Sequence, residues 1–247
     1  MRTLWIVARR EYARYFTTPA AYLAAFLFLL VLGIIFYSNI AASVMRSFMM
    51  PGYAPGVEII VNPMTTLLIF MVPAFTMRLL AEEQRLGTLE LLLTAPVRDA
   101  ELIAGKWLGS FLFVATMIAI TLLYPLTLNW LVKPSIDWGP VITSYLGLLL
   151  MAAALTALGT AISALFSNQI AAFVATLAFF LLLWLIGFPS SSTGGISGVW
   201  QYLDFSQHFY DTLARGILDL RDVIYYLSVA ALGVFAGTVI IETRRWR

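Results

Sequence analysis

The chain has 247 residues, of which 61% are hydrophobic and 11% charged, and its net charge is +2. A soluble domain carries about 25% charged residues, so this balance excludes an ordinary water-soluble fold and points to a membrane protein. There is no cysteine, which excludes disulfides and thiolate metal sites, and the small net charge gives no reason to invoke a nucleic-acid partner.

Residues 1–19 read as an element of their own. On a helix, Leu4, Ala8, Tyr12 and Tyr15 share one face while Arg10 and Arg14 point away, which suits an interfacial helix lying flat in lipid headgroups. Pro19 marks the turn into an apolar run that is too long for the h-region of a cleaved leader.

A bilayer core about 30 Å thick needs about 20 apolar helical residues, because no backbone polar group can stay unpaired in lipid. Six runs qualify, at residues 20–40, 59–77, 108–130, 141–166, 170–188 and 223–241, and none contains Asp, Glu, Lys, Arg or His. Trp107, Trp130, Trp138, Trp184 and Trp246 fall near run ends, where amphipathic rings favour the headgroup level. The fold class expected is all-α: one polytopic membrane domain, 1–247, with six transmembrane helices. With six spans both termini share a side. That side and its loops hold eleven Lys/Arg against four (Arg46, Lys133, Arg215 and Arg221) on the other, so the termini should be cytoplasmic. The loop 46–62 is short and rich in Pro and Gly, so any bulky extracytoplasmic partner must be a separate auxiliary chain.

The polar segment 81–107 separates the second and third spans. Glu82 and Glu83 allow the second span to continue as helix about two turns beyond the membrane, with Glu82 and Arg85 three residues apart. Gly87 offers a left-handed stop, and Thr88 can cap a short helix with Glu90 in its first turn. That helix carries Leu89, Leu91, Leu92 and Leu93 and must end before Pro96. Asp99 can cap the next helix, which runs past Gly105 and Lys106 into the third span. Leucines so dense outside the membrane must be buried, against neighbouring spans or in a groove on a cytoplasmic partner. In the fourth span, Gly147, Ala153, Ala157, Gly159 and Ser163 would let a neighbouring helix approach closely. After a turn FPSSSTGGISGVW, residues 202–222 mix aromatics with charges, consistent with short helices around 205–213 and after Gly216.

The stretch VPAFTMRLLAEEQRLGTLELLLTAPVRDAELIAGKWLG, residues 72–109, resembles the permease subunit of type-2 ATP-binding-cassette (ABC) transporters, closest to the gliding-motility-associated branch. The residues that carry the likeness are Pro73, Met77, Glu82, Glu83, Gly87, Thr88, Glu90, Leu92, Leu93, Pro96, Gly105 and Lys106. A second patch, SQHFYDTLARGILDLRDVIYYLS at 206–228, resembles the same branch. The resemblance implies that 81–107 is a coupling segment docking into a cytoplasmic ATPase dimer. It also implies that the 189–222 segment closes the outer end of the pathway, which makes His208, Phe209, Arg215, Gly216, Asp219, Arg221 and Asp222 gate candidates. A second permease subunit, identical or paralogous, is implied as well, in the inner membrane of a prokaryote, working as an exporter or as a transmitter of force.

The chain has no GxxxxGK[ST] loop, so ATP and Mg are expected on the partner subunit and no cofactor or metal on this one. No catalytic residue is expected either: the lone histidine, His208, has no Cys or HExxH motif beside it. The alternative, an ATP-independent secondary transporter or channel, is disfavoured by spans without ionisable residues.

Overall fold

The computed structural model describes residues 2–50, 55–89, 98–132, 135–185, 205 and 207–245. Among them every regular element is helical. In chain order these are α1 (Arg2–Tyr15), α2 (Pro19–Met49), α3 (Glu58–Thr76), α4 (Ala81–Arg85), α5 (Asp99–Ile120), α6 (Leu123–Leu131), α7 (Trp138–Ser163), α8 (Gln169–Leu185), α9 (Gln207–Tyr210) and α10 (Leu220–Arg245), with a 3-10 turn at Leu213–Arg215 before α10. Five stretches are long and apolar enough to cross a membrane: Pro19–Met49, Glu58–Arg85, Asp99–Leu131, Trp138–Ser163 and Leu220–Arg244. The remaining expected span appears as α8, a shorter apolar helix of 17 residues whose expected last residues, 186–188, lie outside the described ones.

The core is organised around α7, which packs on α3, α5, α8, α10 and the 3-10 turn. Small residues make this possible. A Cβ added at Gly233 of α10 would come within 2.7 Å of the Ala157 backbone, and one added at Gly159 would overlap the side chain of Thr76 at the end of α3. With α7 so close on several sides, its neighbours gain packing contacts along their whole length. In contrast, α2 lies at the edge and packs mainly on α3.

Two prolines inside the bundle have side chains doing the work of their missing N–H. Pro63 cannot donate to the Ile59 carbonyl, and the Asn39 side chain donates there instead, at 3.0 Å. Pro125 removes the helical donor to the Thr121 carbonyl, which accepts instead from the Tyr124 N–H at 3.0 Å and from the Tyr145 hydroxyl at 2.9 Å.

Several boundaries differ from the sequence reading. The third span was read as unbroken over 108–130, but it divides at Thr121–Leu122 into α5 and α6, because Pro125 cannot continue the hydrogen-bond ladder. Arg46 was placed in the first outer loop and instead lies within α2. The last span begins at Leu220 rather than Val223, with the Asp219 carboxylate accepting from the Arg221 backbone N–H at 2.9 Å, and no separate helix follows Gly216. Asp99 occupies the first helical position of α5, with Arg98 before it at the cap.

Candidate functional site at the α4 junction

The second span was expected to run on past the membrane as one helix. Instead α3 stops at Thr76, a turn follows, and α4 starts at Ala81. A break of this kind exposes backbone groups that need partners. Ser163 of α7 supplies most of them: its hydroxyl donates to Met77 O at 3.1 Å and accepts from the N–H groups of Leu80 and Ala81 at 3.2 Å each. Tyr15 of α1 donates to Phe75 O at 2.8 Å, and Lys106 of α5 donates to Leu79 O at 3.0 Å. Burial pushes the Tyr15 phenol well above its ordinary range, so it is held as a donor.

Around this break α4, only five residues long, makes polar contact with four other helices or their ends. Glu83 accepts from Lys106 Nζ at 2.6 Å, and the same ammonium donates to Glu11 of α1 at 2.9 Å. Lys106 is 1% exposed, Glu11 5% and Glu83 8%, so all three charges sit out of water. Glu82 pairs with Arg14 of α1 at 3.0 Å and not with the exposed Arg85, its neighbour in sequence. Gln84 donates to Ala164 O beyond α7 at 2.7 Å and accepts from Arg244 near the end of α10 at 3.0 Å. One short helix thereby ties together α1, α5, α7 and α10.

The lysine lies between two carboxyl groups, so one ammonium serves two buried acids. Burial pushes the Glu83 carboxyl above the ordinary glutamate range while the adjacent Lys106 pulls it down, and Glu83 Oε2 is a buried atom with no hydrogen-bond partner. Such a cluster holds its elements in one register. Separating any of them would leave a buried charge uncompensated.

The close seat of α1 on α5 depends on two glycines one turn apart. A Cβ at Gly105 would lie 2.7 Å from Val7 Cβ, and one at Gly109 would lie 2.7 Å from Glu11 Cβ and 2.8 Å from Ala8 O. Gly105 therefore serves the α1 contact, and Gly105-x-x-x-Gly109 is the small-residue spacing that lets helices approach. Past α4, Gly87 adopts the left-handed conformation expected of it, φ 69°. Thr88 begins a helical turn, and its hydroxyl donates to Glu83 O at 3.3 Å. Leu89 is buried with Leu80, Ile103, Ala164 and Ile241, so this leucine packs on its own chain. Glu90, Leu92, Leu93 and Pro96 lie outside the described residues.

At the other end of the bundle, the gate candidates divide. His208 Nδ1 lies 2.7 Å from Asp222 Oδ1, the Thr212 hydroxyl donates to the other Asp222 oxygen, and the imidazole stacks on Tyr225 at 4.1 Å. Phe209 is fully buried, and its ring and Leu213 fill the space above Gly147 of α7, whose added Cβ would meet them at 3.0 and 2.9 Å. Gly216 has φ 88°, ending the 3-10 turn against Pro140. Arg215 and Arg221 are exposed and Asp219 caps α10, so none of these three joins the His208–Asp222 pair.

The family model described as ABC-2 family transporter protein matches residues 45–241. The chain belongs to this ABC-2 transporter family. No curated protein sequence matches it. Membership and the apolar helices make the chain a multi-pass membrane protein and a permease component of an ABC transporter. In this ABC-2 permease the match includes α4 and α5 and stops short of α1, so Glu11, Arg14 and Tyr15 of the junction lie outside it. Helical spacing points Arg14 away from the protein and gives Glu11 no role, whereas the structure turns Arg14 to Glu82 of α4 and Glu11 to Lys106. The available signal was an acid at Glu11, on the same helical stripe as Leu4, Ala8 and Tyr15.

Proposed function

We propose that this chain is the transmembrane subunit through which a separate cytoplasmic ATPase dimer drives export across the inner membrane of a prokaryote. In this reading α8 is the sixth span and the α4 junction faces the cytoplasm, as the eleven-to-four Lys/Arg asymmetry of the sequence requires. The chain pairs with a second permease subunit, and ATP and Mg are held by the ATPases. The likeness of 72–109 and 206–228 to the gliding-motility-associated branch supports a role in export or force transmission.

The observation that carries the proposal is the junction itself. The segment 87–96 is the ATPase-docking element, and α4 is its root. A push on that segment reaches α4, and the bonds of Glu82, Glu83 and Gln84 pass it to α1, α5, α7 and α10 as a rigid-body shift. Lys106 and Gly105 act here by holding helices together, and a buried lysine makes no direct contact with a partner. On the outer side, the helices seated on Gly147 and pinned by Asp222 close the pathway.

The test begins with purification from native membranes in mild detergent, followed by mass spectrometry of what co-purifies. A stoichiometric subunit with a phosphate-loop motif is expected. Gly87→Pro should abolish its retention or its coupled ATPase activity while leaving the permease inserted. Recovery of the chain alone after gentle cross-linking, or full coupling in Gly87→Pro, would overturn the proposal.

A further inference from the structure

The cleft between α1 and the end of α3 is lined by Glu11, Arg14, Tyr15, Phe75, Arg78 and Glu82, and its enclosed part, about 10 Å³, is the size of one water. Its charges are unequally provided for. Glu11 is held by Lys106 and Glu82 by Arg14, whereas Arg78 has no hydrogen bond or ion pair among the described residues although it is half-buried. Glu11 and Glu82 line the same cleft but are taken up by Lys106 and Arg14, so the half-buried guanidinium is left to water or to an anion from outside the chain.

The position of Arg78 says where that anion resides. It follows α3 directly, two residues past the end of that apolar helix at Thr76, which in the proposed orientation puts it at the headgroup layer. The outward face of α1 presents Trp5 and Ile6 together with Arg9 and Arg10, Phe16 is exposed just past its end, and the only acid of that helix, Glu11, is turned inward to the cleft. Aromatic and aliphatic side chains interleaved with arginines, with no acid among them, match the boundary of an anionic bilayer surface.

We propose that Arg78 binds the phosphate of an anionic phospholipid headgroup, with the exposed Arg9 and Arg10 of α1 adding positive charge to the same membrane surface. The inference rests on the junction end lying at a membrane surface, as the proposed function requires. A bound headgroup at the mouth of the cleft holds α1 against α3, next to the Lys106 cluster, so anionic lipid strengthens the same contacts that α4 depends on.

The experiment uses the purified full chain in discs made of equal parts phosphatidylglycerol and phosphatidylcholine, extracted gently, with retained lipids counted by native mass spectrometry. The wild type should retain phosphatidylglycerol in excess. Arg78→Gln should lower that excess about fivefold, the factor one basic group near an anionic surface is worth. Arg78→Lys should keep most of it, and Arg46→Gln, near the opposite end of the bundle, should leave it unchanged. If Arg78→Gln does not purify as a folded protein, the double variant Arg9→Gln/Arg10→Gln, on the exposed face, carries the test with an expected loss of about 25-fold, about fivefold for each of the two groups. Unchanged enrichment in these variants overturns the proposal. So does a rise in thermal midpoint when inorganic phosphate is added to phosphatidylcholine-only discs, which identifies a free-anion site. Because no ATPase is present, failure here is separate from failure of the coupling reading.

Discussion

Replacing Lys106 with Met keeps most of the side chain's length and removes its charge. The structure then loses three bonds at once, to Glu83 at 2.6 Å, Glu11 at 2.9 Å and Leu79 O at 3.0 Å. Both carboxylates stay behind with 5% and 8% exposure, so neither can recover its hydration without moving. Removing one partner of a buried ion pair costs about 3–5 kcal/mol. For a chain of this size each kcal/mol lowers the midpoint by about 2–4 °C, so Lys106→Met should unfold on the order of 10 °C earlier. Thermal unfolding in detergent followed by tryptophan fluorescence measures this. The triple variant Lys106→Met, Glu11→Gln, Glu83→Gln should recover most of the loss, because replacing all members of a buried ionic group is far cheaper than orphaning two. A midpoint for Lys106→Met indistinguishable from wild type would refute the view that α1, α4 and α5 are joined by charge. A triple variant no more stable than the single one would show that the lysine matters only for its packing.

Ser163→Ala removes the hydroxyl that serves Met77, Leu80 and Ala81, and should cost about 1–3 kcal/mol, read as the same midpoint shift, with proteolysis between α3 and α4 increasing. Gly109→Ala drives a methyl into the α1 backbone and should cost about 1–3 kcal/mol, and a cysteine pair placed across α1 and α5 should then cross-link more slowly. For Glu83 the raised carboxyl means that the folded chain holds this proton more tightly than the unfolded one. Its contribution is therefore complete below the ordinary value of 4.5 and is lost as pH rises through the raised one. Midpoints measured across that range should fall with rising pH in the wild type and do so less in Glu83→Gln.

One backbone feature of the junction was legible from residue chemistry alone. Gly87 could be placed in the left-handed region because only a residue without Cβ enters it cheaply, and the structure has it there. Helical spacing grouped Leu4, Ala8, Tyr12 and Tyr15 on one face of α1 as suits a helix lying in headgroups, whereas that face packs on α5, with Leu4 and Tyr12 only partly covered and Glu11 buried beside them. The small residues of the fourth span were read as points of close approach, and Gly159 against Thr76 is one of them.

Composition, apolar run length and local backbone chemistry determined the class of the molecule, its helices and the existence of a polar island between two spans, because each depends on residues close together in the chain. Partnership was decided only in three dimensions. Glu82 has Arg85 within reach in sequence, yet pairs with Arg14, 68 positions away. Lys106 reads in the sequence as a polar residue of the helix entering the third span, and the tertiary fold makes it the centre of a buried cluster with Glu11, 95 positions away. Ser163, apparently one small residue in a packing stripe, becomes the cap of a break that the sequence reading had continued as helix. The physical reason is the same in each case. Hydropathy and propensity fix what a segment can be, whereas a charge or hydroxyl takes its role from whichever unsatisfied group the packing of distant helices brings to it.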